Sequence, residues 1–139
     1  MTPEQIALVQ SSFRSVMPIS DQAAEMFYDR LYETNPEVKP MFPTDMTELR
    51  RKLMAALATV VSGLTQPETI LPTIKGLGVR HVKYGAEAAH YAPVGAALIW
   101  TLEQGLGNAF TDDVRDAWVA AYALLSGVMI EAAEEARAA

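Results

Sequence analysis

The sequence predicts an all-α fold of six to eight helices, and three observations carry that expectation. Apolar residues recur at steps of three and four along nearly the whole chain. Nowhere do apolar and polar residues alternate for long, and the β-branched residues sit inside helical stripes. Pro, Gly, Ser and Thr fall at the ends of those stripes, where helices start and stop.

The elements follow in order. Thr2-Pro3-Glu4-Gln5 is a helix start, with a Thr cap, Pro in the first turn and Gln three residues after the cap. Ile6, Val9, Phe13 and Val16 give that helix its apolar face. Met17-Pro18 stops it, and Ser20 is placed to cap a second helix with Ala24, Phe27, Tyr28 and Leu31 on one side. Asn35-Pro36 begins a short helical turn that ends at Phe42-Pro43. After a polar loop, Leu49, Leu53, Ala56, Leu57, Val60, Val61 and Leu64 form one continuous stripe.

Pro67 and Pro72 flank a segment in which Ile70, Ile74, Leu77 and His81 share a face. Gly76 and Gly78 weaken helix there, so a short or kinked element is expected, with Gly85 as its C-terminal stop. Pro93 opens a helix through Val94, Leu98, Leu102 and Leu106, which Gly107 closes. Thr111 caps the last helix, carrying Val114, Trp118, Ala121, Tyr122, Leu125, Val128, Met129 and Ala132. Its acidic cluster, Glu131, Glu134 and Glu135, reads as a solvated, frayed end, because negative charge is unfavourable near a helix C-terminus.

At 139 residues the chain is expected to be one domain, 1–139, large enough to bury a core without staples. Eleven Lys and Arg against seventeen Asp and Glu give a net charge of −6, which argues against nucleic-acid or anionic-membrane binding. With no Cys, thiolate nucleophiles, Cys-ligated zinc and iron–sulfur clusters are excluded. Two His cannot build a three-His metal site. The N-terminus lacks a signal peptide's basic start and apolar run, and the stretches Leu53–Leu64 and Pro93–Leu102 fall short of a bilayer span, so a cytoplasmic protein is expected.

Phosphate loops, HExxH, GxSxG and EF-hand loops are all missing, and Glu131, Glu134 and Glu135 have no His three residues on, as a di-iron bundle needs. What remains is two His, a few aromatics and an apolar face. His81 lies on the stripe Ile74–Leu77–His81, so its ring points at the interior. Two readings of it stand: a satisfied, half-exposed helix histidine, or the single ligand of one large cofactor such as a haem. His90, beside Tyr91 in a connecting segment, has no apolar stripe under it and reads as a surface residue.

Five segments together resemble the globins, in particular the bacterial single-domain globins related to the haem domain of flavohaemoglobins. They are Phe27-Tyr28-Asp29-Arg30-Leu31, Asn35 to Phe42, Leu77-Gly78-Val79-Arg80-His81 with Tyr84-Gly85, His90 to Gly95, and Ala117-Trp118 with Ala121-Tyr122. The resemblance keeps order and spacing over almost the whole chain. It implies a globin fold packed around a pocket for haem b, with His81 as the proximal iron ligand. Phe42 would stack on the porphyrin, Leu53 and Val94 would line the pocket, and Leu77 would buttress its proximal face. Tyr28 would be the distal phenol aimed at the gas ligand, with Tyr91 on the proximal side. Lys52 and Arg80 are candidates for the haem propionates.

Two positions depart from the family pattern. Counting back from Arg51-Lys52-Leu53-Met54, the distal position usually held by His or Gln falls on Leu49, with Glu48 or Arg50 as alternatives if the register shifts by one. Tyr28 would then be the distal donor. The Glu that flavohaemoglobin relatives place on the last helix beside the proximal His falls here on Ala133, so His81 is expected to donate to a backbone carbonyl.

The resemblance implies reversible binding of dioxygen, and of CO and NO, for transport, storage or scavenging. A nitric-oxide dioxygenase or nitrite reductase is the alternative. Since 139 residues leave no room for a flavin or nicotinamide site, such a cycle would draw electrons from a separate reductase. A haem-free or haem-sensing helical interaction module is the third class.

Overall fold

A computed structural model describes residues 1–138, and those residues are helical throughout with no strand. Six α-helices are present: α1 (Pro3–Val16), α2 (Ser20–Thr34), α3 (Thr47–Ser62), α4 (Pro67–Lys83), α5 (Tyr91–Leu106) and α6 (Asp112–Ala138). Short 3-10 turns at Met17–Ile19, Pro36–Met41, Ala88–His90 and Gly107–Ala109 join them.

Local signals account for many of the boundaries. The Thr2 hydroxyl accepts from the Gln5 N–H at 3.1 Å while the Gln5 side chain accepts from the Thr2 N–H at 3.0 Å, a reciprocal cap on α1. Thr111 caps α6 through the Val114 N–H at 3.2 Å. Gly85 and Gly107 end α4 and α5 with φ of 86° and 56°, backbone that other residues avoid.

Four expectations change. Ser20 is the first residue of α2 rather than its cap, because its own backbone is already helical (φ −57°, ψ −40°) and Ile19, which has no side-chain cap, stands at the cap position. The Pro67–Lys83 segment is one unbroken helix of 17 residues. Its Ile70, Ile74 and Gly78 are buried at successive turns, and packing on α6 outweighs the poor propensity of Pro72 and the glycines. α5 begins at Tyr91, two residues before Pro93, whose missing N–H falls in the first turn where no helical partner exists. The acidic cluster is exposed as expected, but α6 stays helical to Ala138, where Arg137 donates to the Ala86 carbonyl at 2.6 Å.

One hydrophobic cluster joins all six helices. α6 lies against both α4 and α1, and α2 crosses α5. Gly78 sets the closest approach, because a Cβ there would overlap the carbonyl oxygen of Met129 and stand 2.8 Å from its Cα. The buried Trp118 indole donates to Ser12 Oγ at 2.8 Å, and Ser12 donates on to the Leu8 carbonyl at 2.6 Å, which pins α6 to α1. By length and composition α6 could also cross a bilayer; here it buries Val114, Ala117, Trp118, Ala121 and Met129 as a core helix.

Candidate functional site

α3 and α4 meet at a corner where the Ile70 side chain crowds Gly63, and beyond it they make little contact. Their apolar faces are therefore only partly covered. Leu49, Leu53 and Leu57 on α3, Leu77 on α4, and Tyr91 and Val94 on α5 are all half-buried and packed against the core. His81 lies one turn after Leu77 and is half-buried too.

The imidazole is oriented by its own helix. His81 Nδ1 lies 2.6 Å from the Leu77 carbonyl oxygen, and since a carbonyl only accepts, Nδ1 carries the proton. The lone pair is thus on Nε2, the atom left to act as a ligand. The partner is a neutral carbonyl, as expected from Ala133, which is buried on α6 while Glu134 beside it is exposed. Tyr84, three residues on, sets its ring edge-to-face on the imidazole at 5.6 Å and is itself 61% exposed.

An aromatic group forms another wall. Tyr28 is buried on α2, with Phe27 at 4.9 Å and Phe42 at 5.6 Å, both near-perpendicular. Phe42 follows the Pro36–Met41 turn and is half-buried against Tyr32 at 5.5 Å. Tyr32 Oη reaches Met46 Sδ at 3.5 Å, tying this group to the start of α3. Among the described residues every fully buried side-chain polar atom has a partner, yet Tyr28 Oη bonds to none; it therefore keeps accessible surface. Burial, and secondarily Tyr32, push the Tyr28 phenol up to about 12, so it stays a proton donor.

At the distal register, Leu49 is the residue packed against the hydrophobic cluster. Glu48 is exposed and paired with Arg51, and Arg50 is half-buried. Lys52 and Arg80 are exposed on α3 and α4, each next to a residue of the partly covered face. The Tyr91 carbonyl accepts from Tyr122 Oη at 2.6 Å, and the Tyr122 ring fills the space above Gly95, whose Cβ would lie 2.6 Å from it. Burial raises the Tyr91 phenol against the opposing pull of Arg137. His90 is half-buried and accepts from the Glu87 N–H at 2.9 Å through Nδ1, a local turn contact.

Three residues of this region escape a reading of single positions: Tyr32, Leu57 and Tyr84. Their signal was helical spacing, since they stand four residues from Tyr28, four from Leu53 and three from His81. A groove of about 600 Å³ lies elsewhere, between α5 and α6 around Ile99, Trp100 and Val119, and no imidazole lines it.

These residues fit a haem. A fixed Nε2 lone pair, partly covered apolar walls, a phenol with an unpaired hydroxyl and exposed cations beside them match an iron, a porphyrin plate, a polar gas ligand and two carboxylates in turn.

Comparison with known proteins agrees. The model of the Globin family matches residues 25–129. The flavohemoprotein of Bordetella parapertussis is 33% identical over 133 residues, which cover 94% of this chain and 33% of that protein. The Bacillus subtilis flavohemoprotein is 30% identical over 128 residues, covering 84% of this chain and 31% of that protein. The chain thus spans about a third of the length of these curated relatives. Among solved structures, a bacterial globin from Campylobacter jejuni superposes with a TM-score of 0.89 at 23% identity, over 99% of this chain and 100% of that one. An engineered carbene transferase, a putative nitric oxide dioxygenase from Rhodothermus marinus, superposes at 0.90 and 23%, over 99% and 96%. At that identity the two structures speak to the fold.

Proposed function

The chain belongs to the globin family, and from that premise we propose that it holds a haem b between α3 and α4 and binds dioxygen, and also CO and NO, reversibly. The observation that carries this reading is the His81 geometry, in which Leu77 fixes the tautomer and frees Nε2. A haem held there would supply the iron at which a diatomic gas binds.

The chain's own residues would do the rest. Phe42, Leu49, Leu53, Leu77 and Val94 exchange partial exposure for contact with the porphyrin, at about 25 cal/mol for each Å² covered. Lys52 and Arg80, exposed beside Leu53 and His81, would pair with the propionates, and half-buried Tyr91 would pack on the proximal side. The Tyr28 hydroxyl donates to a gas ligand that carries partial negative charge, a bond of about 1.5–3 kcal/mol. CO carries little such charge and gains less, so the distal side favours dioxygen. Leu49 adds bulk without a second donor.

The kinship with flavohemoproteins supports a second reading, nitric-oxide dioxygenation with a separate reductase. One set of measurements tests both. Absorption spectra of the purified protein, ferric, ferrous and under air, should show a Soret band and a stable oxygenated form with slow oxygen release. Failure to retain haem after reconstitution would defeat both readings. Fast conversion of NO to nitrate with a cellular reductase would favour the enzyme over the carrier.

A further inference from the structure

The chain has five tyrosines, and four of them sit where a phenol proton has no easy exit. Tyr28 is buried, and Tyr122 donates to the Tyr91 carbonyl, which accepts a hydrogen bond but not a proton. Tyr32 is directed at the Met46 thioether, and it and Tyr91 are half-buried. In all four, burial raises the phenol, because a phenolate would be poorly solvated there.

Tyr84 differs in two ways. It closes α4, where its N–H bonds to the His81 carbonyl at 3.2 Å, and the helical spacing of three sets its ring edge-to-face on the imidazole at 5.6 Å. The same ring is 61% exposed, so water reaches it. Among the described residues it is the one tyrosine that both touches the candidate iron ligand and opens to solvent.

We infer that Tyr84 is a redox relay, through which small reductants in solvent, of the enediol or phenol class, support reduction of hydrogen peroxide at the haem. The inference rests on the haem reading. Peroxide takes two electrons and two protons as its O–O bond breaks, and leaves as two waters. Tyr84 supplies the electrons one at a time through the His81 imidazole, and each time its O–H proton passes to water. Each resulting phenoxyl takes a hydrogen atom from one reductant molecule and is a phenol again. One peroxide and two reductant molecules thus give two waters and two one-electron-oxidised reductants, and the iron ends ferric as it began. The haem carries the oxidation chemistry, while the protein fixes the route by which electrons reach it. A buried phenol fits this part less well, because a solvent reductant has no contact with its ring and its proton has nowhere to go.

The test uses the haem-loaded ferric protein, given hydrogen peroxide and the radical trap 2-methyl-2-nitrosopropane without any other reductant. Mass spectrometry should find the trap on Tyr84, with fragmentation separating it from Tyr91 on the same tryptic peptide. The adduct per chain should not change on dilution, since the electron moves within one molecule. A yield that falls with dilution would mark attack from solution and overturn the inference. Tyr84→Phe should lose the adduct at that position and lose peroxide-dependent oxidation of ascorbate, while its Soret band and oxygen off-rate stay as they are. Tyr84→Trp, whose indole also gives up an electron, should restore ascorbate oxidation. An adduct confined to Tyr28 or Tyr91, or ascorbate oxidation undiminished in Tyr84→Phe, would also overturn it. A chain without a Soret band would fail at the haem reading itself, and this inference would fall with it.

Discussion

Under the proposed function two side chains would decide the chemistry at the scale of single residues, and the surroundings of each make its role testable. His81 donates from Nδ1 to Leu77 and so offers Nε2. Replacing it by Ala is expected to abolish tight haem retention, or to leave a ferrous spectrum without the five-coordinate histidine signature. An unchanged ferrous spectrum in His81→Ala would refute the assignment. Tyr28 is a buried phenol whose hydroxyl has no hydrogen-bond partner among the described residues. Its loss in Tyr28→Phe is expected to speed oxygen dissociation by about ten-fold or more, the weight of one hydrogen bond to a charged group. CO dissociation should change far less. Stopped-flow release of both gases checks this, and an unaltered oxygen off-rate would mean that another side chain donates. Both candidates came from the sequence, His81 from its place on an apolar stripe and Tyr28 from resemblance, while their hydrogen-bonding surroundings came only from the structure. Tyr84 stood in a resembling segment but was given no role, because an exposed ring gains meaning only from what it touches.

At the scale of helices, caps and periodicity foretold most elements, while packing overruled propensity in α4. Gly76, Gly78 and Pro72 read as breakers, yet the helix runs through them. The reason is visible at Gly78, where the absence of a side chain lets the α6 backbone come into contact. A glycine chosen for close approach and a glycine chosen to break a helix look alike in one dimension. The difference can be measured by adding one methyl group at two glycines. Gly78→Ala should destabilise the protein by about 1–3 kcal/mol, because the new Cβ overlaps main-chain atoms of Met129 that cannot yield cheaply. Gly127→Ala, on α6 with nothing within 4 Å of the added carbon, should stabilise it by up to about 1 kcal/mol through helix propensity. Denaturant unfolding of both variants separates packing from propensity. Equal effects would mean that the α4–α6 contact is looser than it looks.

At the scale of the whole molecule, the net charge of −6 does not tell which charges become neighbours: the exposed Glu131, Glu134 and Glu135 lie on the helix that packs against α4, which carries Lys75, Arg80 and Lys83. The sparse contact between α3 and α4 was likewise invisible; only the half-buried residues on their apolar faces could be named. Alkaline stability is another property of the fold as a whole, since it depends on burial supplied by several helices at once. Burial holds the Tyr28 phenol up to about 12 against its usual 10, and it raises Tyr122, bonded to the Tyr91 carbonyl, in the same direction. Below pH 10 both phenols keep their protons whether the chain is folded or unfolded, so the contribution of the folded environment is intact. Above it the unfolded chain releases protons that the folded chain retains, and each such proton favours unfolding. Stability should therefore fall as pH rises from about 10 to 12, by up to about 3 kcal/mol from Tyr28 and further from Tyr122. Melting temperatures of the haem-loaded protein across that range check this, with Tyr28→Phe and Tyr122→Phe each expected to shallow the decline. A decline unchanged in both variants would place the alkaline sensitivity outside these two phenols.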